Sequence, residues 1–320
     1  MMASLFPCHR PRLGISFRAQ ALEVVEVRRR WRRVPTVTRL LTRPLPSAWV
    51  TPTAATPHIS DPAAVTKELR ALLQEVHDRV VAIDIPMACG TLVLAHFQTF
   101  PTVRAEQEAL LRWRLRQEEH LTVPDLTLLW QVFPAAHPGS TSVSVLVVAV
   151  RQSILDQYRQ VCEDADLLPV SIGFSTLHLL DLARSTFPGM QEEVYVAHCS
   201  PEALIVLAFH LGQPVGLRVK PIRQAGIELK TEVIQTLRYL AQGISHPRTT
   251  VSRTTPIYVM AEGEMVPSSV SDTTEVWTLS DDPVWTAPVH QARWATAPIV
   301  STLPAPGQPP LAALACVLAS

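Results

Sequence analysis

The sequence predicts an α/β protein with two lobes of related plan and a small α/β subdomain inserted into the first lobe. Three strand-like runs followed by a helix-like run occur near the beginning of the chain and again in its latter half. A separate block of strand and helix patterns lies between these two series. Over 320 residues, 47% of them hydrophobic, the chain has enough apolar side chains for more than one buried core.

The first lobe opens with alternating apolar residues, which predict strands that each have one buried face. These strands are expected at 13–17, 22–27 and 34–41. Several prolines follow, which are typical of a loop. Asp61 and Pro62 then provide a cap and a first-turn proline for a helix with an apolar stripe. A strand over 79–86, RVVAIDIP, ends this part.

The inserted block is predicted from the strand-like TLVLAHFQ at 91–98, a helix over 103–119 and a strand over 126–133. The turn HPGSTS precedes a β-prone run at 143–150. A helix over 153–165, a strand over 168–174 and a helix over 176–185 then return the chain to the first lobe.

The second lobe repeats the opening plan with strands at 194–198, 203–210 and 215–219, a helix over 228–241 and a strand at 257–260. We therefore assign residues 1–85 and 143–190 to the first lobe, 86–142 to the inserted subdomain and 191–265 to the second lobe. Residues 266–320 are interpreted as a Pro/Ser/Thr-rich irregular segment with a short apolar C-terminus.

Charge and cysteine usage exclude several classes of function. The formal net charge is zero, so nothing in the overall charge favours nucleic acid. The basic run 28–33, RRRWRR, is interpreted as a solvated turn, with an anionic surface or acidic partner as the alternative. The five cysteines lack a Cys-x-x-Cys pair, which favours a reducing cytoplasm and no metal site. We expect no signal peptide and no membrane-spanning segment.

In their order, several segments resemble the type IV pilus assembly protein PilM family of the actin-like ATPase superfamily. LGISFRAQALEVVEV stands where that family opens with a Gly-Ile-Asp-Ile-Gly strand-turn-strand. VAIDIPMACGTLVLAHFQTFP and EQEALLRWRLRQEEHL resemble the strand and helix of its inserted subdomain. VSVLVVAVRQSILDQYRQVCEDADLLPVSI and ALIVLAFHLGQPVGLRVKPI resemble the return to the first domain and the opening of the second. The resemblance covers about residues 12–263 and implies an actin-like (ribonuclease H-like) two-lobed fold.

The nucleotide motifs of that superfamily are degenerate in this chain. Actin-like sites need an acid that orders a magnesium-bound water, and glycines that let backbone amides approach phosphate. The first hairpin, starting at Gly14, has Ser16 at the Asp position and Arg18 at the second Gly. The second hairpin has Ala197 for Asp and Cys199 for Gly.

Near the expected adenosine site, only Gly263 of a glycine pair is kept. Losing both acids removes the metal ligation on which phosphoryl transfer depends, so we expect a non-functional site and no enzyme activity. We assign no cofactor. ATP binding without hydrolysis stays open, because Arg18 could hold a phosphate, although a surface arginine at the hairpin tip is the favoured interpretation.

Other candidate chemistry is weaker. Ser175 follows a strand within GFSTL, but the second glycine of a nucleophile elbow is absent, so we interpret it as a helix cap. Asp84 has no evident catalytic partner in the sequence and is expected to be paired or at a strand end. His198 and Cys199 are adjacent in a strand, point to opposite faces and are not expected to share a metal ion.

The resemblance implies a non-catalytic scaffold at the inner face of a bacterial inner membrane, in a type IV pilus or related secretion platform. It also implies a partner similar to the bitopic protein PilN, whose cytoplasmic N-terminal peptide would enter a cleft beside the inserted subdomain. The candidate groove residues are Phe97, Phe100, Trp113 and Trp130, although core packing is expected for most of them. The alternatives are a functional actin-like ATPase and a cytoplasmic component resembling GspL of type II secretion.

Overall fold

The computed structural model describes ten stretches of the chain, and all structural statements refer to them. They are residues 11–28, 36–118, 125–134, 142–186, 193–200, 202–222, 229–243, 257–261, 277–278 and 288–291. Residues 29–33 of the basic run and Gly263 lie outside these stretches.

Strands and helices follow the predicted order with small shifts at their ends. The first part of the chain contains β1 (Leu13–Phe17), β2 (Ala21–Arg28), β3 (Thr36–Pro44), α1 (Pro62–Leu72), β4 (Val80–Ile85), β5 (Gly90–Phe97), α2 (Arg104–Glu118), β6 (Leu126–Pro134) and β7 (Val143–Arg151). It continues with α3 (Gln152–Asp164), β8 (Leu168–Phe174), α4 (Ser175–Thr186), β9 (Val194–Cys199), β10 (Ala203–His210), β11 (Gln213–Pro221), α5 (Leu229–Gly243), β12 (Ile257–Ala261), β13 (Trp277–Thr278) and β14 (Pro288–Gln291).

The first compact unit contains residues 1–89 and 153–186 and is built on a five-stranded sheet in the order β3-β2-β1-β4-β8. Strands β1, β2 and β3 form an antiparallel meander, whereas β4 and β8 run parallel to β1 and to each other. Strand β1 is buried along its whole length because it lies between β2 and β4. As predicted, Asp61 caps α1, accepting a hydrogen bond of 2.9 Å from the Ala64 amide.

The second compact unit contains residues 90–152 and 187–292. Its smaller part is the sheet β5-β7-β6, in which β7 is the central strand. Helix α2 packs on one face of this sheet through Leu111 and Leu115. The prediction that the insertion ends at residue 142 is therefore wrong. Strand β7 pairs along its length with β5 and β6, because its apolar residues complete that sheet instead of the first one.

The larger part of the second unit is a sheet in the order β11-β10-β9-β12-β14-β13. Strands β9, β10 and β11 repeat the antiparallel meander of the first unit, and α5 packs on them through Val233, Leu237 and Leu240. The short strands β13 and β14 extend this sheet beyond β12. They are the described residues of the segment after residue 265, whose largely irregular character stays a prediction. The rest of that segment lies outside them.

Among the described residues, no helix is both long enough and apolar enough to cross a membrane.

Candidate functional site

The predicted first hairpin lies in the first unit, next to a buried carboxylate. Strands β1 and β4 are parallel neighbours, and their register places Ser16 beside Asp84. Both residues are completely buried. The hydroxyl of Ser16 donates a hydrogen bond of 2.8 Å to Oδ2 of Asp84. An acid therefore stands next to the hairpin, on the neighbouring strand.

Two residues from the start of α4 complete the surroundings of Asp84. The hydroxyl of Ser175 lies 2.9 Å from Asp84 Oδ2 and 3.2 Å from the carbonyl oxygen of Ile85. One turn later, His178 Nδ1 lies 2.9 Å from Asp84 Oδ1, so Nδ1 carries the proton and donates it to the carboxylate. Both oxygens of Asp84 thus accept hydrogen bonds from protein groups.

The imidazole of His178 fits its place because residue 173 is a glycine. An added Cβ at Gly173 would lie only 2.2 Å from His178 Nε2 and 2.5 Å from Cε1. Gly173 is also the register partner of Asp84 in the β4–β8 pair. The end of β8 and the first turn of α4 therefore hold His178 against the carboxylate by close packing.

The structure corrects two interpretations of single residues. The side chain of Arg18 is only 12% exposed, so it is not a surface arginine at a hairpin tip. Its Nη1 lies 3.3 Å from Ser175 Oγ, and its Nε lies 3.5 Å from the Glu23 carboxylate. Ser175 does begin a helix, but its hydroxyl contacts Asp84 and Ile85 instead of capping the helix.

The pairing of Asp84 with His178 was not predicted from the sequence. Asp84 was expected to be paired, and the structure confirms this, but His178 was not among the candidates. A signal was present in the sequence. Ser175 and His178 are three residues apart at the start of a helix, which places them on one face, directly after a strand that pairs with β4.

The second hairpin, in the second unit, carries no polar cluster of this kind among its described residues. Ala197 and Cys199 are completely buried in an apolar cluster with residues of β10 and α5. The adjacent turn is closed by Ser200, whose Oγ accepts a hydrogen bond of 3.1 Å from the Ala203 amide. Ala197 and Cys199 therefore serve as small core residues of this lobe.

The candidate groove residues lie in the small sheet and its helix, and three of the four contribute to packing there. Phe97 and Phe100 are in contact, with ring centroids 5.0 Å apart. Trp130 is partly buried; its Nε1 donates a 3.1 Å hydrogen bond to Gln107 Oε1. Trp113 differs, because 53% of its surface is exposed on α2.

A second buried polar cluster lies elsewhere in the first unit and joins His58, Cys89 and Tyr158. His58 Nδ1 lies 3.2 Å from the Thr56 carbonyl oxygen, so Nδ1 donates there and Nε2 accepts from the Tyr158 hydroxyl at 2.7 Å. Cys89 Sγ lies 3.4 Å from His58 Nε2. Burial lowers the pKa of His58, opposed in part by backbone hydrogen bonds.

The chemistry available at Asp84 is limited by its hydrogen bonds. A carboxylate that orders a magnesium-bound water needs lone pairs directed toward that water. The oxygens of Asp84 are directed at Ser16, Ser175 and His178, and the residue has no exposed surface. In the arrangement described, Asp84 therefore acts as the centre of an internal hydrogen-bond network, which joins β1, β4 and α4.

The chain has an actin-like fold, and its first hairpin places Ser16 against the buried Asp84 of the neighbouring strand. Among solved structures, a chain of the "PilM-PilN type IV pilus biogenesis complex" is similar to it, with a TM-score of 0.68 and 18% sequence identity. That similarity covers 98% of this chain and 99% of the other, and at this identity it shows the fold.

Two further structures are more distant. A protein of unknown function with an actin-like ATPase fold from Bacteroides thetaiotaomicron has a TM-score of 0.48 and 10% identity, over 79% of this chain and 82% of that one. The cytoplasmic domain of EpsL, an inner membrane component of the type II secretion system of Vibrio cholerae, has a TM-score of 0.45 and 12% identity, over 78% and 82%. No family model and no curated protein matches the sequence.

Proposed function

We propose that this protein is a non-catalytic scaffold of a type IV pilus, or related secretion, assembly platform at the inner face of a bacterial inner membrane. Its partner in this proposal is a bitopic protein similar to PilN, bound through the cytoplasmic N-terminal peptide. The observation that carries the non-catalytic part is the network around Asp84. The actin-like fold, similar over its whole length to a chain of the PilM–PilN complex, supports the role in a platform.

Three features at or beside the first hairpin support the proposed absence of catalysis. Ser16 replaces the acid that would order a magnesium-bound water. The neighbouring acid, Asp84, is buried and accepts hydrogen bonds at both of its oxygens. Arg18 occupies the position of the second glycine with a side chain that contacts Ser175 and Glu23.

The second hairpin supports the same conclusion independently. Ala197 offers no carboxylate, and both Ala197 and Cys199 belong to a continuous apolar core. Restoring an acid at position 197 would bury a charge among aliphatic side chains, which is unfavourable. Recovery of phosphoryl transfer would therefore require repacking of this lobe in addition to repair of the first hairpin.

Calorimetry and a phosphate-release assay on the full chain test the two parts of the proposal separately. Titration with magnesium-ATP is expected to give no binding heat, and incubation with it no released phosphate. Titration with a synthetic peptide of the PilN-like protein's cytoplasmic N-terminus is expected to show binding, and a scrambled peptide of the same composition none.

Each result has a distinct meaning. Magnesium-dependent hydrolysis would overturn the non-catalytic part and favour the ATPase alternative, with Asp84 as its acid. Failure of the cognate peptide to bind would overturn the partner, even if no hydrolysis occurs.

A further inference from the structure

The outward face of α2 carries exposed charged and aromatic side chains that lie away from the small sheet. The inward face packs on the three-stranded sheet through Leu111 and Leu115. On the opposite side, Glu106, Ala109, Trp113 and Arg116 are all exposed. Their spacing of three, four and three residues places them along one stripe of the helix. We call these four residues the α2 stripe.

The other charged residues of α2 already have partners, and Arg104 stacks on the Trp130 ring, 4.4 Å from its centroid. Arg112 bonds Glu108 at 2.7 Å, and Arg114 bonds Glu118 at 2.7 Å. Within the described residues, Glu106 and Arg116 form no ion pair. Arg116 Nε donates a hydrogen bond of 3.3 Å to the carbonyl oxygen of Arg112. The stripe thus has one acid near its first turn and one base near its last, separated by a small residue and a large aromatic one.

The order of these residues makes the stripe complementary to itself when two copies run antiparallel. Leu111 is the midpoint in the sequence between Glu106 and Arg116. It is also the midpoint between Ala109 and Trp113. A two-fold axis through that point therefore brings Glu106 of one copy opposite Arg116 of the other, and Trp113 opposite the small Ala109. Each contact occurs twice, as an isologous interface requires.

We propose that the α2 stripe is the contact surface of a weak homodimer, in which two copies of this chain pack α2 against α2 with antiparallel direction. The large indole of Trp113, 53% exposed in the single chain, fills the space above Ala109 of the second copy. The two Glu–Arg pairs set the direction and register of the helices. A parallel pair would oppose like charges and two indoles.

A contact between single helices is smaller than a standard interface, so the dimer is expected to be transient, with a dissociation constant on the order of 100 µM. A dimer of this affinity is well populated where copies of the chain are held together at a high local concentration. The inference does not depend on the proposed function, since it rests only on residues of α2.

Sedimentation equilibrium of the full chain at concentrations up to about 1 mM tests for the dimer. Wild type is expected to show a reversible monomer–dimer equilibrium. Glu106→Arg and Arg116→Glu are each expected to weaken it by more than about tenfold, because two-fold symmetry turns each substitution into two repulsive contacts. Trp113→Ala is expected to weaken it to a similar degree. Lys67→Glu, on an exposed residue of α1, is the control for a charge change and should leave it unchanged.

Rescue experiments separate a specific interface from a general effect of charge. The double variant Glu106→Arg/Arg116→Glu restores both pairs and should dimerise like wild type. The two single variants, each of which dimerises more weakly than wild type alone, should form a tighter heterodimer when mixed. In that heterodimer the two introduced side chains face each other as one ion pair, and the remaining native Glu106 and Arg116 form the second. A monomeric wild type, single variants that dimerise as tightly as wild type, absence of both rescues, or growth into species larger than a dimer would each overturn the proposal.

Discussion

Ser16 on β1 and Asp84 on β4 are register partners, and Ser16 Oγ donates a hydrogen bond of 2.8 Å to Asp84 Oδ2 in a fully buried site. Ser16, which the resemblance places at the Asp position of a phosphate hairpin, is therefore adjacent to an acid from another strand. This relationship changes what a repair of the motif would do. A second carboxylate at position 16 would face the first one without water between them.

Ser16→Asp is expected to destabilise the first unit and to produce no ATP hydrolysis. Two carboxylates in contact within a buried site repel each other, and one of them must take up a proton. Ser16→Asn is the matched control, because asparagine has the shape of aspartate without its charge. We expect Ser16→Asp to lower the midpoint of urea unfolding more than Ser16→Asn does, because only the acid adds a second carboxyl group to the buried site. Equal midpoints for the two variants would contradict the proximity of the two side chains.

Asp84→Asn should lower the free energy of unfolding by about 3 kcal/mol, because hydroxyl and imidazole donors lose an ionised acceptor in a buried site. Ser16→Ala removes a single donor and should cost about 1 kcal/mol. Since the chain has two compact units, hydrogen exchange of the β1 and β4 amides is the appropriate measurement. Equal effects of the two substitutions would argue against Asp84 as the centre of the network.

Gly173→Ala should be destabilising only while the imidazole is present. The new methyl group would lie 2.2 Å from His178 Nε2, so the ring must move and its bond to Asp84 must lengthen or break. We expect a cost of about 2 kcal/mol in wild type and much less in a His178→Ala background. A double-mutant cycle by urea unfolding measures this coupling. Additive effects would show that the two sites are independent.

His58 should make stability depend on pH. Burial lowers the pKa of His58 in the folded chain, so the unfolded chain binds a proton there first as the pH falls. Its contribution to stability is fully present above the unfolded value of about 6.5 and is lost as the pH falls toward the lowered value. Wild type should therefore lose stability more steeply than His58→Gln between about pH 7 and about pH 5. Parallel unfolding profiles for the two proteins would contradict the assignment.

Most of the fold could be predicted because the apolar patterns are local. Strands such as Leu13–Phe17 and helices such as α1 carry their own periodicity and capping residues. The assignment of β7 to the first lobe was wrong because its sheet is determined by contacts that are not local in sequence. Its run of valines fits any buried strand, and which sheet it joins is decided by contacts with β5 and β6, distant in sequence.

The site was predictable in part. Ser16 was singled out from the resemblance, and Asp84 from its place as a lone acid in an apolar strand. Their contact depends on the parallel pairing of β1 with β4, across 68 positions of the chain. The role of Arg18 depends likewise on Ser175, which α4 brings to it from 157 positions away. Side-chain partners across a sheet follow from topology and register, which periodicity alone does not determine.

The paired ends of β5 and β7 have a consequence for how this chain could change. Gly90 opposes Val150, so the segment that forms the small sheet begins and ends at facing positions of two paired strands. Facing residues of antiparallel strands lie only about 5 Å apart, so a short turn could join the two ends of this segment. The small sheet with α2 could therefore be exchanged as one continuous piece of sequence, provided that the replacement keeps its contacts with β11 in the same compact unit.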